Sequence, residues 1–233
     1  MPVTHEAARD LVHKHGISTC TISDVLDGLG VPGAVLDSRL QRMSGGTDMF
    51  FGAAVPVSWV TVRKGPQITA GSPSTWAQVR DFLVPDVTDG HGRVYVAGAG
   101  NLVTEAALAG GLSVTYLYDS LGFEGVVLGG AIRDRALVEA SGCPLVASGF
   151  VPTDTQGAFR VQSADERCVV NNVVVRASDW IFSDSNGTVV VPSSLVADVL
   201  QKAAAIEETE QQVLKRLRSG HRLPAIIDDV GRI

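Results

Sequence analysis

The sequence predicts an α/β fold, and three observations carry that prediction. From residue 93 onward, apolar runs of strand length alternate with glycine turns and helical segments. Such β–loop–α–β alternation marks strands in a sheet covered by helices. Hydrophobic residues make up 45% of the 233 and charged residues 19%, which supplies apolar surface for a sizeable core. The 25 glycines match a fold with many tight turns.

Each element has its own signal. Residues 4–16 read as an amphipathic opening helix. In STCTISDVLDGLG, Ser18 or Thr21 caps a second helix that Gly28 and Gly30 end. VPGAVLDSRLQRM is a loop leading into a short strand, and FFGAAVPVSWVTVRKG is a Val-rich strand punctuated by Pro56. Between residues 65 and 90, loop signals surround one short helical run, Trp76–Phe82. RVYVAGAGN is a buried strand ending in glycines. TEAALAGGLSVTYLYDSLG reads as a helix with small residues at its middle. FEGVVLGGA and CPLVASGFVP are two further strands, with the helical or turn segment RDRALVEASG between them. In RCVVNNVVVRASDWIFSDSNGTVVVP, Val runs and turns such as SDSNG predict antiparallel hairpins. SSLVADVLQKAAAIEETEQQVLKRLRSG is a long helix, capped by Ser193 or Ser194 and stopped by Gly220. With no repeat or linker, residues 1–195 read as one α/β domain and 196–233 as its C-terminal helical tail.

Composition bounds the function. A net charge of −6 and a pI near 5.3 argue against nucleic-acid binding by bulk electrostatics. Cys20, Cys143 and Cys168 form no CxxC zinc pattern, and an odd count is a poor disulfide framework, so reduced, partly buried thiols are expected. The polar, helical N-terminus does not read as a signal peptide, and no apolar run reaches membrane-spanning length. The expectation is a cytoplasmic protein with no membrane partner.

Two stretches can carry chemistry. The first is GVVLGGAIRDRALVEASGCPL, residues 125–145. Ligands of α/β sheets collect beyond the carboxyl ends of strands, and glycine lets backbone amides approach them. Arg133 brings a planar fork suited to a carboxylate. Asp134 brings oxygen ligands for a hard cation such as Mg²⁺, which takes one or two carboxylates and keeps its waters. On spacing alone, a surface Arg–Asp pair capping the next helix is the commoner arrangement. The second stretch is AGGLSV, Ala109–Val114. If a helix starts near Gly111, the amides of Leu112, Ser113 and Val114 form an anion site. A glycine packing contact within a longer helix fits the same pattern.

Taken in order, these motifs resemble the RraA-like proteins, which include class II pyruvate aldolases acting on 4-hydroxy-4-methyl-2-oxoglutarate. STCTISDVLDGLG is similar to the family's opening helix, FFGAAVPV to its G-x-A-x-T-V strand, and GVVLGGAIRD to its G-V-V-x-x-G-x-x-R-D motif. CPLVASGFVP and ASDWIFSDSNGTVVVP resemble the strand and hairpin patterns that follow, and AAAIEETEQQVLKRLRSG resembles an aldolase-type tail. The resemblance implies an RraA-type α/β fold, similar to the phosphohistidine swivelling domain, with stacked sheets and flanking helices. It implies a metal-dependent lyase of 2-oxo acids, with oxaloacetate decarboxylation as a side activity, assembled as a homotrimer or hexamer. By position, Arg133 would bind the carboxylate and keto oxygen of a pyruvate-like moiety, and Asp134 would ligate Mg²⁺ or Mn²⁺. Gly111, Leu112, Ser113 and Val114 would supply substrate-binding amides, and Glu210 would reach a neighbouring subunit's site. The alternatives are a divergent RraA-like enzyme acting on another oxo or hydroxy acid, and the binding function of some RraA proteins, which inhibit an RNA-degrading endonuclease by contact.

One position departs from the family. Its loop reads G-[DE]-x-x, and here the acid is replaced by Leu112, which cannot hold a metal-bound water or relay a proton. That help is worth roughly two to four orders of magnitude in rate. Gly100-Asn101 likewise stands where the family has Gly-Asp. Asp119 lies two helical turns, about 10 Å, beyond Leu112, too far to substitute, and Glu105 would substitute only with its loop folded inward. His13 and His15 read as surface residues facing apart, His91 as a turn residue and His221 as part of the tail. Asp24 reads as structural or subunit-contacting, and Trp59, Trp76 and Trp180 as core or interface. GAGN is an incomplete dinucleotide fingerprint, with Val103 at the last position.

Overall fold

A computed structural model describes residues 3–62 and 74–231 of the chain. The loop-rich reading of residues 65–73 lies outside the described residues. By contact, the chain divides into two compact units, Met1–Pro32 with Ser194–Ile233, and Gly33–Ser193.

The larger unit is built on an eight-stranded sheet in the order β1-β7-β5-β3-β2-β11-β12, with β8 also paired to β2. These strands are β1 (Gln41–Ser44), β2 (Phe50–Thr61), β3 (Arg93–Gly98), β5 (Gly125–Leu128), β7 (Leu145–Ala147), β8 (Phe159–Ala164), β11 (Trp180–Ser183) and β12 (Thr188–Val191). The centre, β2-β3-β5-β7, is parallel, and the flanks are antiparallel. Both faces of the centre are covered. Val55, Val57, Tyr95, Ala97, Val126 and Leu128 join one core cluster, while Ala54, Val94, Val96 and Val127 join another. Burial on two faces is why these strands read as unbroken apolar runs. Pro56 does not end β2. The strand pairs with β11 up to Ala53 and with β8 from Val57, so the missing N–H falls between the two partners.

Two small ladders complete this unit. β9 (Arg167–Val170) and β10 (Val173–Arg176) form a hairpin whose two-residue turn, Asn171-Asn172, has φ of 42° and 76°. Both values fit the twist-matched turn that asparagine favours. β4 (Val103–Ala109) runs parallel to β6 (Gly130–Ile132). This corrects the helical reading of TEAALAGGLSVTYLYDSLG. Its first half is a strand, and the helix begins only at Gly111 as α4 (Gly111–Thr115), continuing as a wider π turn through Ser120. Alanine, leucine and glutamate favour helix weakly, and pairing with β6 overrides them. β8 was also not foreseen. The Trp76–Phe82 run is helical, as α3 (Ser74–Val79) and a following 3₁₀ turn, and RDRALVEASG forms α5 (Arg135–Ser141).

The helical unit contains α1 (His5–His15), α2 (Thr19–Gly28), α6 (Val196–Arg218) and α7 (Leu223–Val230). Thr4 and Ser18 cap α1 and α2 with their hydroxyls. The expected serine cap of α6 is absent. Ser193–Leu195 form a 3₁₀ turn, and Leu195 occupies the cap position without a side-chain bond. Three neighbouring α6 residues tie the N-terminal helices down. Glu207 accepts from the Thr21 hydroxyl and the Ser18 amide, Glu208 lies 3.2 Å from His15, and Gln211 donates to the His15 carbonyl at 3.2 Å. His15 is therefore buried, contrary to its surface reading, while His13 is exposed. No described helix is long and apolar enough to cross a membrane.

Candidate functional site

The site forms where β4 and β6 end side by side. Ala109 pairs with Ile132, so the next residues, Gly110-Gly111 and Arg133-Asp134, emerge together at the carboxyl edge of the ladder. The Arg133 amide donates to the Ala109 carbonyl at 3.2 Å and holds the two exits in register.

Asp134 takes the left-handed conformation, φ 62° and ψ 49°. Aspartate tolerates it better than most residues, at a cost. Although it stands at the N-cap of α5, its side chain caps nothing there. Its Oδ2 instead accepts the Gly111 amide at 3.1 Å and lies 3.5 Å from Arg133 Nε. The capping-pair reading of Arg133–Asp134 is thereby replaced by a link between two loops. On its other side, Arg133 Nη1 reaches Asp154 Oδ2 at 3.2 Å. Arg133 is thus held between two carboxylates, each with a side chain roughly two-fifths exposed.

Gly110 makes this convergence possible. A Cβ on it would lie 2.6 Å from Asp134 Oδ2 and 3.2 Å from Arg133 Nε. A Cβ on Gly111 would meet the Leu137 side chain at 2.6 Å. The glycines of the motif itself act elsewhere. A Cβ on Gly130 would lie 2.5 Å from the Val103 carbonyl oxygen, so Gly130 serves the β4–β6 contact, and it does not line the cleft.

The amides at the start of α4 are only partly available. Gly111 donates to Asp134, and Val114 donates to the Gly110 carbonyl at 3.0 Å. The Leu112 and Ser113 amides, in the first turn, have no intrahelical acceptor by position. The Ser113 hydroxyl donates to the Gly110 carbonyl at 2.7 Å and accepts the Gly110 amide at 3.0 Å, which fixes the loop. Val114 is fully buried, whereas Leu112 is 79% exposed.

Gly110, Leu112, Ser113, Arg133, Asp134 and Asp154 line a cleft of about 270 Å³, whereas Gly111 and Val114 do not line it. Its polar lining includes Ser113, Arg133, Asp134, Asp154 and Gln156. Its apolar lining comprises Trp59, Trp76, Val79, Phe82, Leu83 and Leu112, with Ala109 at the strand end. Trp59 packs against Phe82 at 5.6 Å between ring centroids, and Trp76 stands 47% exposed. Trp59 is a core residue that borders the cleft, Trp76 stands at the cleft's exposed edge, and Trp180 stacks with Phe51 and Phe182 in the sheet.

Sequence reasoning missed Asp154. It follows the third strand's continuation, where Ile132 bridges Phe150 and the Ala107 amide donates to the Thr153 carbonyl at 3.0 Å. The signal available was its position just past a strand's carboxyl end, the same signal that marked Arg133. Glu105, Asp119, His91 and His221 do not line the cleft. His91 is exposed and pairs with Asp89 at 2.6 Å. Glu210 belongs to the helical unit, where it lines an apolar groove with Leu214, Leu217, Leu223 and Ile227.

Among the described residues no three His, Cys, Asp or Glu gather as a metal cage. The donors at the cleft are oxygens, with Asp134 and Asp154 the carboxylates. That set fits a hard cation held by one or two carboxylates and otherwise by water, and it does not suit a soft metal.

The profile of the RraA-like family, described as Aldolase/RraA, matches residues 19–190. Protein DlpA of Legionella pneumophila subsp. pneumophila is 27% identical over 214 residues, 91% of this chain and 32% of that protein. A protein of Albidiferax ferrireducens, provisionally named 4-hydroxy-4-methyl-2-oxoglutarate aldolase, is 31% identical over 105 residues, 45% of this chain and 59% of the relative. The alignments thus span about a third of the length of DlpA and about three-fifths of the Albidiferax protein. The crystal structure of Streptomyces coelicolor RraAS2, described as an unusual member of the RNase ES inhibitor RraA protein family, matches with a TM-score of 0.70 at 25% identity. The match covers 94% of this chain and 100% of that one.

Proposed function

This chain belongs to the RraA-like family, and from that premise we propose that it is a divalent-metal-dependent lyase of 2-oxo acids. The reaction cleaves a 4-hydroxy-2-oxo acid to pyruvate and a second carbonyl compound. The observation that carries the proposal is the convergence of Arg133, Asp134 and Asp154 with the start of α4 in one cleft.

In this reading the Arg133 fork binds the substrate carboxylate and keto oxygen. Asp134 would hold Mg²⁺ or Mn²⁺. When bound, the cation supplies Lewis-acid stabilisation of charge developing on the keto oxygen. Asp154 takes the proton of the 4-hydroxyl, the role for which Leu112 has no chemistry. The O–H electron pair becomes the new carbonyl bond, the C3–C4 bond breaks, and its pair moves to C3 as the pyruvate enolate. Arg133 and the first-turn amides of Leu112 and Ser113 offset that negative charge. Asp154 then returns the proton to C3. Oxaloacetate reaches the same enolate by losing carbon dioxide. In a homotrimer or hexamer, Glu210 serves a neighbouring subunit's site.

The test is pyruvate release from oxaloacetate and 4-hydroxy-2-oxo acids, followed through lactate dehydrogenase. Release should require Mg²⁺ or Mn²⁺, stop on chelation, and fall by about 10³-fold or more in Asp134→Ala. Metal-loaded protein that yields no pyruvate from any of them would refute the lyase reading. The RraAS2 description supports a second reading, contact inhibition of an RNA-degrading endonuclease. Endonuclease capture that survives both chelation and Asp134→Ala would favour it.

A further inference from the structure

Resting on the lyase reading, we infer that the cleft's substrate is a 2-oxo acid with one carboxylate and an uncharged aromatic or branched-alkyl far end, rather than a 2-oxo diacid.

Charge is the first argument. Among the described residues lining the cleft, Arg133 is the one cation, and it already faces Asp134 and Asp154. Its fork can answer one incoming carboxylate. Counting a dication at Asp134 with Arg133, the positive charge exceeds the negative charge of Asp134 and Asp154 by one, enough for one incoming carboxylate; a second would have no counter-charge among those residues. A second carboxylate held close to Asp134 and Asp154 meets like charge without compensation.

The wall is the second argument. Trp59, Val79, Phe82 and Leu83 line the cleft. Trp59 is 2% exposed with its Nε1 buried, so it backs the wall with ring carbon behind Val79, Phe82 and Leu83. The neighbouring hydroxyls are committed, Thr155 to the Ala107 carbonyl and Ser113 to the Gly110 carbonyl.

The lip is the third. Trp76, Leu112 and Tyr116 line the same cleft at 47%, 79% and 38% exposure. Large apolar side chains left in water around a cleft mark a surface that a ligand or a neighbouring subunit covers, and their place around the lining that holds Arg133 favours the ligand. Leu112 extends this surface at the position where the sequence resemblance expects an acid. The volume, about 270 Å³, falls just below the usual span of ligand pockets, roughly 300–1,000 Å³. It suits a short acid bearing a single ring or branched chain.

The experiment compares two cleavable substrates and two inert ligands on the Mg²⁺-loaded protein. 4-Hydroxy-4-phenyl-2-oxobutanoate would yield pyruvate and benzaldehyde, and 4-hydroxy-4-methyl-2-oxoglutarate would yield two pyruvates. Phenylpyruvate and 2-oxoglutarate are titrated by calorimetry. The expected results are a kcat/KM at least about tenfold higher for the phenyl substrate, and phenylpyruvate binding at least about tenfold tighter than 2-oxoglutarate. Leu112→Arg, a change at an exposed position, should narrow both ratios by about tenfold. Pyruvate released as fast or faster from the diacid overturns the inference and leaves the lyase reading standing. No pyruvate from either substrate refutes the lyase reading, and the binding ratio then decides. Tighter phenylpyruvate upholds the ligand class, and equal or tighter 2-oxoglutarate overturns it.

Discussion

Asp134 carries both strain and charge at one position. Its φ of 62° and ψ of 49° cost a non-glycine residue roughly 1–2 kcal/mol, and such outliers persist where a geometry is over-determined. Here the Gly111 amide and Arg133 hold it. Asparagine tolerates the same backbone and keeps an acceptor for Gly111 while losing the charge. Asp134→Asn should therefore leave the melting temperature within a few degrees of wild type, and pyruvate release should fall about 10²–10³-fold. Gly110→Ala tests placement alone. Its φ of −135° accepts alanine, but the new Cβ would push on Asp134 Oδ2 and Arg133. Displacing those groups by about 1 Å should cost about 10²-fold in kcat/KM with circular dichroism unchanged. Arg133 and Asp134 were legible in the sequence as a charged pair after a glycine turn. Asp154 was not, because nothing local in VPTDTQG records that its loop returns to Arg133.

The β4–β6 ladder is the element that builds the site. It brings residues 110–111 beside 133–134, although they are more than twenty positions apart in the chain. Its close packing depends on Gly130, where a Cβ would come within 2.5 Å of the Val103 carbonyl oxygen and 2.8 Å of Val103 Cβ. Backbone cannot give way as a flexible side chain can. Gly130→Ala should destabilise the protein by about 1–3 kcal/mol in urea unfolding and reduce pyruvate release as the two loops separate. The ladder was hidden in the sequence. Val103–Ala109, VTEAALA, reads locally as helix, and only the partner strand makes it extended.

At the scale of the whole molecule, burial governs the thiols. Cys143 and Cys168 are buried, and desolvation pushes each thiol up to about 12, while Cys20 is exposed. Thiolate is the reactive form, so a disulfide reagent near neutral pH should modify Cys20 quickly and the other two only after denaturation. Both buried thiols hold their protons more tightly folded than at the ordinary value of 9.0. Their contribution to stability is therefore full below about pH 9 and is lost as pH rises towards about 12. Urea unfolding should show stability falling across that alkaline window, and Cys143→Ala with Cys168→Ala should flatten the fall. The sequence by itself determined the α/β class, the family and the terminal helices, and it marked Arg133–Asp134 as a charged pair after a glycine turn. These follow from patterns written in neighbouring residues: period, caps, turn chemistry and an ordered set of motifs. Only the tertiary structure decided that Val103–Ala109 is a strand, that His15 is buried, and that Asp154 and an apolar wall share the cleft with Arg133. Each of these depends on contacts between residues distant in the chain, whose energies outweigh local preference; for Asp154 the local sequence marks a place past a strand end but not its partner.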